Sequence, residues 1–181
     1  NRPSSIGYPL SHTAVRIYRD GKELPAGEVG EIYLDTDQFM LGYLGDEYSP
    51  FAEIDGTKWL KTGDYGWLDA DGFLYFKQRI KNMIKVSGVP VYPSEIEAAI
   101  LSVDGVKKAC AVGMDDAVRG QVVKLFVEPK EGADEGALRE KIAAACAEKL
   151  IAYAVPKKIV FREKLPVNLI GKIDRKQLEE E

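Results

Sequence analysis

The hydrophobic pattern along this chain keeps one rhythm up to about residue 80 and another after it. In the first part apolar residues recur at every second position. The stretch TAVRIYR puts Val15 and Ile17 on one face and Arg16 and Tyr18 on the other, the period of a half-buried strand. DGKELPAGEVG reads as turn and loop, and EIYLD as the next strand. KWLKTGDYGWLDADGFLYFKQR predicts two strands flanking a turn at Asp71–Gly72, since Asp-Gly between alternating residues is a strong hairpin signal. No helical period occurs before Arg79.

After Lys81 the period lengthens. VYPSEIEAAILSV opens with Ser94 and Glu97 in the spacing of a capping box and continues with Ile96, Ala99, Ile100 and Val103 on one helical face. KKACAVGM and QVVKLFVEP read as strands. DEGALREKIAAACAEKL reads as a helix with Leu138, Ile142, Ala145 and Cys146 on its apolar stripe and acidic residues in the first turn, where they complement the helix dipole. KKIVFRE predicts a further strand and RKQLEEE a short helix. The expected fold class is α+β: a short all-β subdomain over 1–78, a hinge at 79–81, and a compact mixed α/β domain over 82–181 with the order β-α-β-β-α-β. The first part is too small to form a full sandwich alone. Repeats and low-complexity segments are absent from the sequence.

Composition narrows the function classes. The 181 residues are 45% hydrophobic and 30% charged, with a formal net charge of −4. A mild acidic excess leaves no electrostatic footprint for nucleic acid. A single histidine, His12, removes His-based zinc sites and His-dependent triads, and no metal site is expected. Cys110 and Cys146 each lie in an apolar segment and read as small buried hydrophobes, which suits a reducing, cytoplasmic compartment. No apolar run approaches the ~18 residues of a transmembrane segment. The opening NRPSSIGYPL has neither Met nor a signal pattern, so the chain is expected to begin inside a larger protein, and a missing targeting signal carries no information about localisation.

Four short constellations offer chemistry. In KTGDYG, Asp64 follows a glycine between strands; its two oxygens suit a sugar diol, or equally the backbone of its own turn. In QRIKNMIKVSG, Arg79 and Lys81 stand at the expected boundary, placed either to reach a ribose or phosphate and absorb a hinge rotation, or as a solvated basic connector. In VSGVPVYPSEIE, Gly88 answers either a close approach to the backbone or a turn needing positive φ. In LPVNLIGKIDRK, Gly171 frees the backbone and Lys172 projects an ammonium able to neutralise charge on a phosphoryl or carboxylate oxygen. Taken alone, Lys172 reads as a solvated lysine.

The four occur in one order. KTGD, then QRIK…SG…YPSEIE, then AYAVPKKIVF, then LPVNLIGKIDR together closely resemble the C-terminal portion of adenylate-forming enzymes: acyl-CoA synthetases, nonribosomal-peptide adenylation domains and luciferases. GEVGEIYLDTDQFMLGYL is similar to the strand-rich segment upstream. The resemblance covers essentially the whole chain, and its motifs are specific in combination. It implies that Asp64 binds the ribose hydroxyls of ATP and the acyl-adenylate, that Arg79 also contacts the nucleotide, and that Lys81 is the hinge. It further implies that Gly88 lines the pantetheine tunnel and that Lys172 is catalytic, bridging the carboxylate and the α-phosphate.

The activity so implied is that of an AMP-forming acid–thiol ligase. A carboxylic acid, most readily a fatty acid, is activated by ATP and Mg2+ and passed to CoA as co-substrate, with domain alternation between the two half-reactions. ATP and Mg2+ would be held mainly by an N-terminal region that this chain lacks, so the chain alone is expected to be inactive. Three departures stand out: Gln78 replaces the glycine usual before the arginine, Asn82 stands where many relatives carry Asp, and Val89-Pro90 replaces an aromatic-polar pair. The short SGVPVYP form favours the acyl-CoA branch. The alternatives are an adenylation domain loading a carrier protein and a non-catalytic module that kept the fold.

Overall fold

The computed structural model describes residues 2–44 and 49–181. They form two compact units, Asn1–Lys81 and Asn82–Glu181. The first is all-β: β1 (Thr13–Arg19), β2 (Lys22–Glu23), β3 (Gly30–Thr36), β4 (Phe51–Ile54), β5 (Thr57–Leu68) and β6 (Leu74–Arg79) make one antiparallel sheet of order β2-β1-β3-β5-β4, with β6 also on β5. Its core is small, Ile17, Ile32 and Leu74 supported by Val15, Leu24, Leu34 and Leu68. The expected hairpin stands. β5 and β6 flank Asp69–Phe73, where Asp69 Oδ1 accepts from the backbone N–H of Asp71 at 3.0 Å and of Phe73 at 2.9 Å.

A 3₁₀ turn, Ile80–Asn82, leads out of β6. The second unit contains β7 (Ile84–Val86), β8 (Val89–Val91), α1 (Pro93–Leu101), β9 (Val106–Asp116), β10 (Gly120–Pro129), α2 (Glu135–Lys149), β11 (Lys158–Phe161) and α3 (Arg175–Glu179). β10 is central: it pairs antiparallel with β9, parallel with β11, and at Gly120 with β7. Its pleat buries both faces. Val123, Leu125 and Val127 join Ala109 and Ala111 of β9 in the main core with Ile96 and Ile100 of α1 and Leu138, Ile142 and Cys146 of α2. On the opposite face Phe126 meets Cys110, Val112, Leu165 and Leu178. The C-terminal tail therefore covers the side of the sheet that the long helices leave bare.

Two local expectations change. The stretch after the first unit is a β-hairpin, so the second unit runs ββαββαβα. Pro90 hides β8 from a propensity reading, but β8 is an edge strand, where a missing N–H is tolerated. The capping box is not formed. Pro93 holds the first helical position, where its fixed φ starts the helix and its absent N–H costs nothing. The cap is therefore Tyr92, with Ser94 inside the first turn. Glu97 is released for other work.

Candidate functional site

In the first unit, Asp64 lies within one continuous strand, not between two. β3 pairs Glu31 with Tyr65 and then Tyr33 with Lys61, so β5 carries extra residues and bulges at Thr62-Gly63-Asp64. Gly63 supplies the positive φ of 70°. The bulge is fastened by Thr62 Oγ1, which donates to Ile32 O at 2.8 Å and accepts from Asp64 N–H at 3.1 Å. Glu31 adds an acceptor for the Gly63 N–H, and burial pushes its carboxyl above the usual carboxylate range. Bulges re-aim side chains, and this one sets Asp64 beside Arg79, its cross-strand partner.

Arg79 Nε approaches Asp64 Oδ1 to 3.0 Å. The N–H is not aligned for a hydrogen bond, and the buried Oδ1 has no hydrogen-bond partner among the described residues. The Asp64 side chain as a whole is 25% exposed, so its carboxylate keeps acceptor capacity for a hydroxyl. More than half of the Arg79 side chain is exposed, which leaves guanidinium nitrogens available to an anion. Gln78, next in line, is 5% exposed, and its amide also lacks a hydrogen-bond partner among the described residues.

Lys81 sits in the 3₁₀ turn and closes the first unit. In the second unit Gly88 has φ +80° and Ser87 +52°, the two positive values that a two-residue hairpin turn demands. A Cβ built on Gly88 meets nothing within 4 Å. Turn geometry, not crowding within the described residues, requires glycine here, and the tip of the β7–β8 hairpin is open.

Lys172 occupies a small closed loop. Val167 and Ile173 form an antiparallel bridge, Asn168 N–H donates to Lys172 O at 2.8 Å, and Asn168 Oδ1 accepts from Lys172 N–H at 3.0 Å and Ile170 N–H at 3.1 Å. Gly171 turns the chain with φ +78°. The Lys172 side chain is exposed and forms no ion pair among the described residues. Leu169 and Ile170 beside it are exposed as well.

The structure thus brings Asp64 and Arg79 together in one unit and places Gly88 and Lys172 on two separate turns of the other. Arg175 closes the LPVNLIGKIDR motif with no role expected of it, and Glu97 was expected in the capping box of α1. Arg175 Nη2 meets both Glu97 oxygens at 2.7 Å, Arg175 Nη1 donates to Ala111 O at 2.8 Å, and Ala111 N–H donates to Glu97 Oε1 at 2.8 Å. The partners lie 78 residues apart, beyond any local pattern. Asp174, which caps α3 by accepting from Gln177 N–H, was the available signal that a helix starts just after Lys172. Both cysteines are buried and free; burial pushes the Cys110 thiol up to about 12. Among the described residues no helix is long and apolar enough to cross a membrane, and no three His, Cys, Asp or Glu residues stand together as metal ligands.

The family model of the AMP-binding enzyme C-terminal domain matches residues 95–172. The chain is 40% identical over 178 residues to the long-chain-fatty-acid–CoA ligase of Salmonella typhimurium, covering 98% of this chain and 31% of that protein. It is 38% identical to the sulfoacetate–CoA ligase of Cupriavidus necator, covering 98% of this chain and 34% of that protein. Among solved structures, o-succinylbenzoate CoA synthetase from Bacillus subtilis in complex with the acyl-adenylate intermediate OSB-AMP superposes with a TM-score of 0.81 at 34% identity, over 97% of this chain and 35% of that one. The chain spans about a third of the length of the relatives it matches. It belongs to the superfamily of adenylate-forming enzymes and corresponds to their C-terminal portion.

Proposed function

We propose that this chain is the C-terminal portion of an AMP-forming acyl-CoA synthetase, with a fatty acid as the carboxylic acid, ATP and Mg2+ for activation, and CoA as acceptor. The observation that carries the reading is the match to CoA ligases along nearly the whole chain, supported by the partly exposed Asp64 carboxylate beside Arg79. In the first half-reaction a carboxylate oxygen attacks the α-phosphorus of ATP, the bond to the β-phosphate oxygen breaks, and pyrophosphate leaves. Asp64 accepts from the ribose hydroxyls and Arg79 holds the nucleotide beside it. The Lys172 ammonium offsets charge between the carboxylate and the α-phosphate. In the second half-reaction the CoA thiol gives up its proton to solvent, its sulfur attacks the acyl carbon, and AMP leaves carrying the bonding electrons of the acyl–phosphate link.

The two steps use different faces of the second unit, Lys172 for the first and the open Gly88 hairpin, against pantetheine, for the second. Lys81 is the pivot between them. Mg2+ enters on the phosphates of ATP, with its ligands in the part of the enzyme that this chain does not span. The chain alone is accordingly inactive.

The test is carboxylate-dependent ATP–pyrophosphate exchange by the complete polypeptide across acids from acetate to palmitate, with residues 1–181 assayed beside it. Lys172→Ala lowers exchange by about a hundredfold or more, the scale of a lost charge-stabilising donor, while thioester formation from supplied acyl-adenylate largely survives. Equal loss in both half-reactions contradicts the assignment of Lys172 to the first. Absence of exchange with every acid tested returns the chain to the non-catalytic reading.

A further inference from the structure

β9 is the outer strand on its side of the sheet, since it pairs with β10 alone. An edge strand has outward N–H and C=O groups that need partners. At Ala111 both are taken, the N–H by Glu97 and the C=O by Arg175, and the two side chains then meet each other. Glu97 comes from α1, which packs against the main core through Ile96 and Ile100. Arg175 comes from the first turn of α3, three residues after Lys172. The pair is mostly enclosed, with side-chain exposures of 28% for Arg175 and 15% for Glu97, so its charge-assisted bonds are little screened. Burial works against the Arg175 charge, and Glu97 together with Cys110 and Glu179 more than offsets it.

The other end of the same loop is held as well. Glu128 of β10, 1% exposed, accepts from Leu165 N–H at 2.9 Å and pairs with Lys107 Nζ at 2.8 Å, and Leu165 sits in the second-face core with Leu178. Between the anchors the backbone turns on Asn168. The exposed ammonium of Lys172 thus rides on a loop with two fixed ends.

We infer that Glu97 and Arg175 are positioning residues for the adenylation half-reaction: their pair, clasping the β9 edge at Ala111, fixes the base of the Lys172 loop. This rests on the proposed catalytic role of Lys172. The pair touches no substrate and acts through Lys172 alone, so its removal weakens the one half-reaction that uses Lys172. A misplacement near 1 Å is enough to cost up to about a hundredfold.

The experiment uses the complete enzyme with Glu97→Gln, Arg175→Lys, Lys172→Ala and the two combinations with Lys172→Ala. Glu97→Gln keeps an acceptor for Ala111 N–H and removes the charge that holds Arg175. The expected result is a drop in kcat for ATP–pyrophosphate exchange of about tenfold to a hundredfold, with KM for ATP little changed. Arg175→Lys gives a smaller drop, and thioester formation from supplied acyl-adenylate stays near wild type. Neither substitution lowers exchange further once Lys172 is alanine. If Glu97→Gln proves too unstable to assay, Arg175→Lys carries the same test, and hydrogen exchange at the Ile170 and Lys172 amides, faster in either variant, reads the loop directly. Equal loss in both half-reactions, or additive loss on top of Lys172→Ala, makes the pair a structural element and overturns the inference. Unchanged exchange in Lys172→Ala itself sinks the catalytic assignment. Unchanged exchange in Glu97→Gln beside an impaired Lys172→Ala sinks the positioning claim alone.

Discussion

Glu128 shows how a buried charge is kept in this fold. Burial works to raise its carboxyl, but the Lys107 ammonium and the Leu165 N–H outweigh it and hold the group below the ordinary value of 4.5. Folded protein therefore binds this proton less tightly than the unfolded chain. The resulting stability is fully present above the unfolded value and is lost as pH falls through the folded one. In Glu128→Gln the acid limb of the stability–pH curve below pH 4.5 becomes shallower than in wild type. At neutral pH the variant loses about 1–3 kcal/mol, the worth of hydrogen bonds to a charged group. Urea unfolding between pH 3 and 7 measures both, and an unchanged acid limb removes Glu128 from the account. Lys107 is 59% exposed on its side chain, so it returns to water at little cost when its partner is neutral, unlike the Leu165 N–H.

Among elements, β5 bears the most geometry. It pairs with β3 on one edge and with β4 and then β6 on the other, and Gly66 marks where backbone meets backbone. A Cβ there falls 2.2 Å from Tyr75 O, and a carbonyl in a paired strand has nowhere to go. Gly66→Ala is expected to cost about 1–3 kcal/mol by overpacking, measurable by urea denaturation. The strained position lies two residues along β5 from Asp64, which pairs with Arg79. Stability within 0.5 kcal/mol of wild type, an ordinary surface value, contradicts that close approach. This element also shows what a sequence reveals. Period-2 alternation and Asp-Gly located β5, β6 and the turn between them, because those signals are local. The bulge at Thr62–Asp64 is a mismatch of register with β3, and no local pattern encodes register against a distant strand. Likewise the apolar runs of β9 and β10 announced strands, whereas β8 was hidden by Pro90. The Ser-x-x-Glu spacing before α1 predicted a cap that Pro93 pre-empted. Motif order singled out Asp64, Arg79, Lys81, Gly88 and Lys172 as a set, while nothing local announced the Glu97–Arg175 clasp, made across 78 residues.

At the scale of the whole molecule the two units differ in how much they bury. In the second, β10 is enclosed from Val122 to Glu128, with helices on one face and the C-terminal tail on the other. In the first, one sheet gathers a core of Ile17, Ile32 and Leu74, and Leu41 and Leu44 are fully exposed. Opening free energies follow such local burial. Amides of Val123, Leu125 and Val127 are expected to exchange at least about tenfold more slowly than those of Ile17, Ile32 and Leu34, a gap of about 1.4 kcal/mol in opening free energy. Native-state hydrogen exchange on the 181-residue chain measures it residue by residue. The comparison reaches beyond stability, because a pivot at Lys81 requires two units that hold their own structure independently. A first unit that opens while β10 stays closed has that property. Equal opening free energies on both sides of Lys81 would instead mean that the units unfold as one cooperative body, and rotation about that residue would lose its physical basis even if Lys172 were catalytic.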